Sequence, residues 1–285
     1  MAGRLYLVAT PIGNLEDMTF RAVRILREVD VIAAEDTRAS LTLLNHFEIK
    51  KPLISLHEQN ERSRMDELLG RMEQGQNIAV ISDAGTPVIN DPGFLLVREV
   101  AQRGWEVIPI PGANALITAL CASGLPPAPM VFHGFSRRSR ARRRQILAES
   151  VGDWRTQGFY ESPRRVLGLL EDVRALWGNR PCVLARELTK IHEEFLRGTV
   201  DEVHAVLSAR DTVRGECVLL VAGAAEPQVD SAEDLDEAID LALEEGTRPT
   251  EIAAKVADRG GMTRQEAYRR VLDRQRLLRE ASAGD

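Results

Sequence analysis

The chain has 285 residues, of which 44% are hydrophobic and 28% are charged, a composition typical of globular proteins. This composition excludes a disordered or fibrous chain. The net charge of −6 argues against a uniformly basic nucleic-acid-binding surface, although it is compatible with a local basic patch.

The chain begins with a strand-length apolar run, Leu5–Ala9, rather than with a secretory signal. No apolar run reaches the roughly 20 residues that a membrane span needs. The three cysteines lie far apart and form no C-x-x-C pair, which argues against a zinc site or a disulfide framework. We therefore expect a cytoplasmic protein that has no metal site and does not enter the membrane.

Short strand-like runs alternate with amphipathic helical segments along most of the chain. The predicted strands are Leu5–Ala9, Val31–Ala34, Leu53–Leu56, Ile78–Ser82, Val107–Pro109, Gly158–Tyr160, Cys182–Ala185 and Glu216–Val221. Several are nearly continuous apolar runs, which is typical of strands that helices cover on both faces in mostly parallel sheets. The pattern predicts an α/β fold with mostly parallel, mixed sheets.

Two helix boundaries are predicted by capping residues. Thr19 is suited to cap a helix that buries Ala22 and Leu26. Asp91 followed by Pro92 indicates a second helix start, and Gly104 indicates its end.

Three prolines between Leu125 and Pro129 predict a domain boundary, because proline can neither continue a helix nor sit in a central strand. A second boundary is predicted at 224–228, after the last buried strand. The predicted domains are 1–124, 125–226 and 227–285.

The third predicted domain is purely helical, and its predicted helices are Leu235–Glu244, Thr250–Asp258 and Arg264–Leu278. Three short helices with a Gly-Gly turn fit either a helix-turn-helix-like module or a packing bundle.

The strongest motif is Ser82–Gly93, which follows a buried strand. It contains two prolines, two glycines, two aspartates and one asparagine. Open α/β sheets bind ligands at the carboxyl ends of their strands. Gly85 allows close approach of the backbone to a ligand, and Asp83 suits ribose hydroxyls or a cation. The alternative is a long capping turn. Two further Pro/Gly turns, 9–15 and 110–115, follow other strands, so the three together predict one cleft.

A run of arginines follows the proline-rich segment. Its members are Arg137, Arg138, Arg140, Arg142, Arg143 and Arg144. Arginine suits phosphate geometry, so the run indicates RNA binding. A solvated helix start is the alternative interpretation, and the carboxylates of a small tetrapyrrole would also attract these side chains.

Six motifs together resemble the tetrapyrrole-methylase superfamily. They are Leu7–Asn14, Ala33–Arg38, Ser82–Gly93, Pro111–Leu116, Phe159–Arg165 and Ala185–Lys190. Within that superfamily the chain resembles the ribosomal RNA small subunit methyltransferase I group, which are 16S rRNA cytidine 2′-O-methyltransferases. The likeness covers nearly the whole chain, including its helical end.

The resemblance implies S-adenosylmethionine as methyl donor, a cleft between two α/β domains, a homodimer, and 16S rRNA of the small ribosomal subunit as partner. By motif position it implies a set of donor-binding residues, namely Pro11, Asp83, Gly85, Thr86, Ile89, Ala113 and Tyr160. The chain departs from many relatives at Ala113-Asn114, where they have Pro-Ser or Pro-Cys, and at Arg164, where they have His.

Methyl transfer to a ribose hydroxyl needs a base or good orientation of the nucleophile. Charged groups at strand ends are the candidates, above all Asp36, Arg38, Glu187 and Lys190, with Glu35, Glu161 and Arg164 beside them. A desolvated Lys190 could act as base, or Asp36 and Arg38 could orient the ribose. Structural ion pairs are the alternative.

Two other functions remain open from the sequence. One is a methylase of a corrin or porphyrin precursor. The other is a non-catalytic ribosome assembly factor that holds S-adenosylmethionine as a structural ligand.

Overall fold

Two five-stranded sheets form the α/β part of the protein. The computed structural model describes residues 2–225 and 232–282. Contacts within the chain separate a unit Met1–Ala224, which holds both sheets, from a unit Ala225–Asp285. The predicted boundary between residues 226 and 227 lies outside the described residues, and the one between 124 and 125 falls between the two sheets and stays a prediction.

The first sheet is entirely parallel, with the strand order β3-β2-β4-β1-β5. Its strands are β1 (Leu5–Val8), β2 (Val31–Ala34), β3 (Leu53–Ser55), β4 (Ile78–Ile81) and β5 (Val107–Ile110). Its helices are α1 (Phe20–Glu28), α2 (Thr37–His46), α3 (Glu61–Glu73), α4 (Phe94–Gln102) and α5 (Ala115–Ser123). The carboxyl ends of all five strands therefore lie at one edge of this sheet.

Helices bury both faces of the first sheet, which explains its continuous apolar strands. In β2, Ile32 and Ala34 face a core with α1, while Val31 and Ala33 face a core with α3 and α4. Because successive side chains of a strand point to opposite faces, a strand covered on both sides needs apolar residues at every position.

The second sheet is mixed, with the order β6-β7-β10-β8-β9 and a single parallel pair, β6 with β7. Its strands are β6 (Met130–Phe135), β7 (Thr156–Glu161), β8 (Pro181–Arg186), β9 (Glu194–Thr199) and β10 (Cys217–Val221). Its helices are α6 (Arg140–Glu149), α7 (Val166–Trp177) and α8 (Val200–Ser208).

Helix α5 packs against the second sheet although it follows the last strand of the first. Leu116 and Leu120 share a core with Val218 and Leu220 of β10, whose other face packs against α7 and α8. β10 is therefore apolar throughout although it is an antiparallel strand, because burial on both faces, not strand direction, determines such a run.

The α/β fold with parallel and mixed sheets is confirmed, and all eight predicted strands are present. β6 and β9 were not predicted. Both are edge strands with mostly half-buried residues, so neither shows an apolar run nor a clean alternation.

The predicted start of the second capped helix is wrong. α4 begins at Phe94, and its N-cap is Gly93 at φ 116°, not Asp91. The carboxylate of the buried Glu61 accepts hydrogen bonds from the backbone N–H of Gly93 (3.0 Å) and Leu95 (2.8 Å). A distant acid therefore satisfies the free N–H groups of this helix, which local sequence does not reveal. Thr19 caps α1 as predicted.

The unit Ala225–Asp285 contains α9 (Ala232–Glu244), α10 (Pro249–Gly260) and α11 (Arg264–Ser282). These helices bury a small apolar core that includes Ile239, Val256 and Val271. Arg270 Nε lies 2.7 Å from Asp236 Oδ1 and ties α11 to α9. No helix among the residues described is long and apolar enough to cross a membrane.

Three arginines of α6 converge on one fully buried carboxylate of α7. The Asp172 oxygens accept hydrogen bonds from Arg143 Nη2 (2.6 Å), Arg144 Nη1 (3.0 Å) and Arg140 Nε (3.1 Å). Burial alone would raise the pKa of Asp172, but the arginines outweigh it and hold this pKa below its usual value. Asp172 therefore stays ionised and anchors α6 to α7.

Replacing Asp172 by alanine should lower the free energy of unfolding by about 3–5 kcal/mol, because it leaves the buried Arg143 without a counter-charge. Urea denaturation of the two proteins measures the difference. Asp201→Ala is the matched control, since it breaks the exposed Arg174–Asp201 pair, which should cost less than about 1 kcal/mol. Equal losses in the two variants would contradict the anchoring role.

Candidate functional site

A cleft of about 460 Å³ lies where the carboxyl edge of the first sheet faces the second sheet. The turn after β4 forms one wall through Asp83, Gly85 and Ile89, and Tyr160 of β7 lies on the other side. We call this the first cleft. Its volume is in the range of small-molecule sites.

Two backbone hydrogen bonds join the turn after β1 to the turn after β4. Thr10 N donates to Gly85 O (2.9 Å), and Gly85 N donates to Thr10 O (3.0 Å). Gly85 has φ 83°, and a Cβ at this position would lie 3.3 Å from Ile12 Cγ2. The positive φ therefore favours glycine, and Ile12 leaves little space for a Cβ at this position.

The turn after β5 is tied to the same place by side chains. Thr86 Oγ1 donates to Ala113 O (3.1 Å), and Asn114 Nδ2 donates to Thr86 Oγ1 (3.3 Å). The Tyr160 hydroxyl accepts a hydrogen bond from Leu116 N (3.3 Å), which links β7 to the start of α5. The three Pro/Gly turns thus form one connected floor, as the sequence predicted.

The turn after β4 contains two of the five non-glycine residues with positive φ among the residues described. Val88 has φ 75° and Asn90 has φ 66°, and positive φ is rare for a β-branched residue. A Cβ at Gly134 of β6 would lie 2.2 Å from Asn90 Oδ1, so the second sheet packs closely on this turn. Strain of this kind persists where surrounding contacts determine the conformation, and it clusters at ligand sites.

Of the five carboxylates that line the first cleft, three come from the first sheet and form an acidic wall: Glu35, Asp83 and Asp91. Burial, and after it the charges of Glu35 and Asp83, raise the pKa of Asp91 to about 6. Burial and the charge of Asp83 also raise the pKa of Glu35. Within the described parts of the chain, no group of three His, Cys, Asp or Glu side chains is placed to hold a metal ion. The negative charge of this wall favours a cationic ligand.

A second cleft of about 320 Å³ lies beside the first. The turn after β1 and helix α2 form two of its sides, and Lys190, from the segment between β8 and β9, forms a third. The two clefts share part of their lining, namely Ile12, Asp83, Ala84 and Glu216.

The Lys190 ammonium lies between two carboxylates, 2.8 Å from Glu187 Oε1 and 2.9 Å from Glu216 Oε2. Burial alone would lower the pKa of Lys190, but the hydrogen bonds to Glu187 and Glu216 outweigh it and raise this pKa. This environment favours the charged form of Lys190, whereas a role as base requires the neutral form. Glu187 and Lys190 form an ion pair that closes one side of the second cleft.

Asp36 and Arg38 do not form a side-chain pair. The Asp36 carboxylate caps α2 by accepting a hydrogen bond from the backbone N–H of Arg38 (2.8 Å). The Asp36 backbone N–H donates to Asp83 Oδ1 (3.0 Å) and so helps to orient Asp83. The Arg38 side chain is exposed.

Five of the seven predicted donor-binding residues line the first cleft, namely Asp83, Gly85, Thr86, Ile89 and Tyr160. Pro11 lines the second cleft instead. Ala113 lines neither, but its carbonyl accepts the hydrogen bond from Thr86 and its neighbours Asn114 and Ala115 line the first cleft.

Half of the arginine run has a structural role. Arg140, Arg143 and Arg144 pair with Asp172, and Arg143 is buried. The others, Arg137, Arg138 and Arg142, are exposed and form no ion pair with residues 2–225. Arg137 follows closely after Phe135, an exposed aromatic at the first cleft, so these cations begin near its mouth.

Sequence reasoning missed several residues of the clefts. Glu216 lies at the amino end of β10, but that end meets the carboxyl ends of β7 and β8, since Cys217 pairs with Glu161 and Arg186. A rule based on carboxyl ends of parallel strands cannot find such a residue. Asp91 lay within the predicted motif, but it was assigned to a helix cap.

A family model described as tetrapyrrole (corrin/porphyrin) methylases matches residues 4–204. A protein of Halalkalibacterium halodurans named ribosomal RNA small subunit methyltransferase I is 47% identical over 272 residues, which cover 93% of each chain. A Pseudomonas aeruginosa protein of the same name is 45% identical over 279 residues, 96% of this chain and 98% of that one.

A solved structure of similar fold is uroporphyrin-III C-methyl transferase from Thermus thermophilus, complexed with S-adenyl homocysteine. It superposes with a TM-score of 0.55 at 17% identity, covering 76% of this chain and 97% of that one. The two relatives show the likeness in sequence, and this solved structure shows it in fold. The chain belongs to the family of tetrapyrrole (corrin/porphyrin) methylases and, within it, to the group of relatives named ribosomal RNA small subunit methyltransferase I.

Proposed function

We propose that this protein is an S-adenosylmethionine-dependent methyltransferase that modifies 16S rRNA at the ribose 2′-hydroxyl of a cytidine. The observation that carries the proposal is 47% identity over 93% of the chain to a relative named ribosomal RNA small subunit methyltransferase I. The rRNA substrate is supported by that name, and the ribose position rests on the resemblance of the sequence motifs to the 16S rRNA cytidine 2′-O-methyltransferases.

The first cleft fits this donor in charge. S-adenosylmethionine has a cationic sulfur and a cationic amino group, and the cleft presents Glu35, Asp83 and Asp91 to it. One oxygen of Asp83 accepts the Asp36 N–H, which leaves the other oxygen for a ligand hydroxyl or cation. The homologous fold from Thermus thermophilus was solved with S-adenyl homocysteine, the demethylated form of this donor.

The cleft also fits the donor in shape. At Gly85 there is no side chain, so the backbone of the turn after β4 can approach a ligand closely. Ile89 and Tyr160 add apolar surface on either side. We assign these residues, with Asp83 and Thr86, to donor binding.

When bound, S-adenosylmethionine would supply a methyl group on a cationic sulfur, which becomes a neutral thioether as the methyl group passes to the ribose oxygen and the hydroxyl proton leaves. The residues of the chain hold the reactants in line and exclude water. Asp83 and Glu216 are the carboxylates that line both clefts, and we assign to one of them the role of accepting this proton.

Exposed arginines supply contacts to RNA phosphates in this proposal. Arg137, Arg138 and Arg142 are free of structural pairing within residues 2–225, unlike the three arginines that hold Asp172. Since phosphate contacts release counterions, RNA binding through them should weaken as salt rises.

Methylation of a corrin or porphyrin precursor is the second candidate, because the family as a whole is named for tetrapyrroles. The names of the relatives at 43–47% identity favour the RNA substrate over it. A role as an assembly factor without turnover is disfavoured for the same reason. The proposal also includes action on the assembled small subunit, a homodimer, a cytoplasmic location and independence of metal ions.

Incubation with labelled S-adenosylmethionine and small ribosomal subunits from a strain that lacks the activity should place label in the ribose of 16S rRNA. Nuclease digestion and chromatography of the nucleosides identify the labelled position. Subunits from a strain with the activity, already methylated, should take up almost no label. Label confined to a base, or no label in RNA, would sink the proposed function.

The affinity for S-adenosylmethionine should rise as pH increases through about 6, because Asp91 then becomes ionised and attracts the cationic donor. We expect this affinity to rise roughly three- to tenfold between about pH 5 and about pH 7.5, which corresponds to a change of half a unit to one unit in the pKa of Asp91 on binding. Isothermal titration calorimetry measures it.

S-adenosylhomocysteine is the matched ligand, since its sulfur is uncharged, and its affinity should change less with pH. Asp91→Asn should flatten the profile of S-adenosylmethionine. A constant ratio of the two affinities across this pH range would contradict the electrostatic role of Asp91.

A further inference from the structure

The two clefts meet at a common wall, which limits where the reacting nucleotide of the RNA can lie. Asp83, Ala84 and Ile12 line both clefts. If the first cleft holds the methyl donor, as proposed above, the reacting oxygen has to reach this wall from the other side. The second cleft is the space that adjoins it.

The second cleft has apolar sides suited to a flat base. Pro11 and Leu15 lie on the turn after β1, and Leu43 lies opposite them on α2. Base stacking on apolar or aromatic side chains tolerates every base and is the usual way in which single-stranded RNA is held.

Polar and cationic groups occur at the edges of the second cleft. Thr42 lines it, and Arg38 lies one helical turn earlier on α2, on the same side of the helix. The Arg38 side chain is exposed and has no ion pair with residues 2–225 or 232–282, so its charge is available to a phosphate. Lys190, by contrast, is neutralised by Glu187 and Glu216.

The size of the second cleft limits what can enter it. About 320 Å³ lies near the lower end of the range for small-molecule sites, and the cleft has walls on three sides. An A-form duplex exposes its 2′-hydroxyls on a wide, shallow groove, which does not fit between such walls. A single nucleotide turned out of its strand fits them.

We propose that the second cleft holds the target ribonucleotide of the RNA, extruded from its neighbours, with its ribose at Asp83 and Ala84 and its base between the turn after β1 and α2. Arg38 contacts a phosphate next to this nucleotide. The inference rests on the proposed methyltransferase activity, and it adds the place and conformation of the acceptor.

Filling the second cleft without touching the first tests this inference. Thr42→Trp places an indole in the cleft, and Leu41→Trp places the same group at the neighbouring exposed position, which lines neither cleft. Thr42→Trp should lower kcat/KM for RNA by at least about tenfold and leave the affinity for S-adenosylmethionine within about twofold. Leu41→Trp should change neither.

A second variant guards against a folding defect in the first. Ala39→Phe enters the cleft from the preceding turn of α2 and should have the same effect as Thr42→Trp. Arg38→Gln should raise KM for RNA more than it lowers kcat, because it removes a phosphate contact outside the reacting centre. Thermal melts should show all four variants folded.

Three results would overturn the inference. The first is unchanged methylation by Thr42→Trp and Ala39→Phe, and the second is an equal loss of kcat/KM in Leu41→Trp. The third is a changed oligomeric state of Thr42→Trp or Ala39→Phe in gel filtration, which would make the cleft an interface between copies. A wild-type protein that methylates no RNA would instead overturn the proposed function itself, so the two failures are distinguishable.

Discussion

The two backbone hydrogen bonds between Thr10 and Gly85 are the contact on which the arrangement of the clefts depends. They join two turns that follow neighbouring parallel strands, and they place Ile12 and Asp83 in a wall that serves both clefts. Glycine suits the positive φ of this position and fits the small space beside Ile12. A donor site on one side and an acceptor site on the other can then share a single boundary.

Charge is divided between the two clefts by the same structure. The first cleft is acidic and raises the pKa of Asp91, whereas the second is closed by the Lys190 ion pair and has Arg38 near its edge. The carboxylates of the first cleft attract a cationic donor. In the second cleft Asp83 and Glu216 lie beside Lys190, so the exposed Arg38 near its edge is the cation available to RNA. These local charges do not require a high net charge on the whole chain, and the overall charge of −6 is compatible with them.

Local sequence pointed to Asp83 and Gly85 at a strand end of a parallel sheet, and the family resemblance added Thr86; all three line the first cleft. It could not predict Glu216, because antiparallel β10 brings its amino end to the site. It also could not separate Arg143, which pairs with Asp172 29 residues away, from exposed arginines of the same run. Both depend on tertiary packing, which sequence spacing does not contain, whereas the fold class follows from apolar periodicity and is confirmed.

The assignment of the first cleft to the methyl donor is tested most directly by calorimetric titration of S-adenosylmethionine into the wild-type protein and Asp83→Asn. The asparagine keeps an oxygen for the Asp36 N–H, removes the charge and replaces the second oxygen by an amide NH2 group. Asp66→Asn, an equal change on the exposed face of α3, is the control. The account predicts at least about tenfold weaker binding by Asp83→Asn, as expected for a lost charged contact, and unchanged binding by Asp66→Asn. Equal affinities in all three proteins would contradict it.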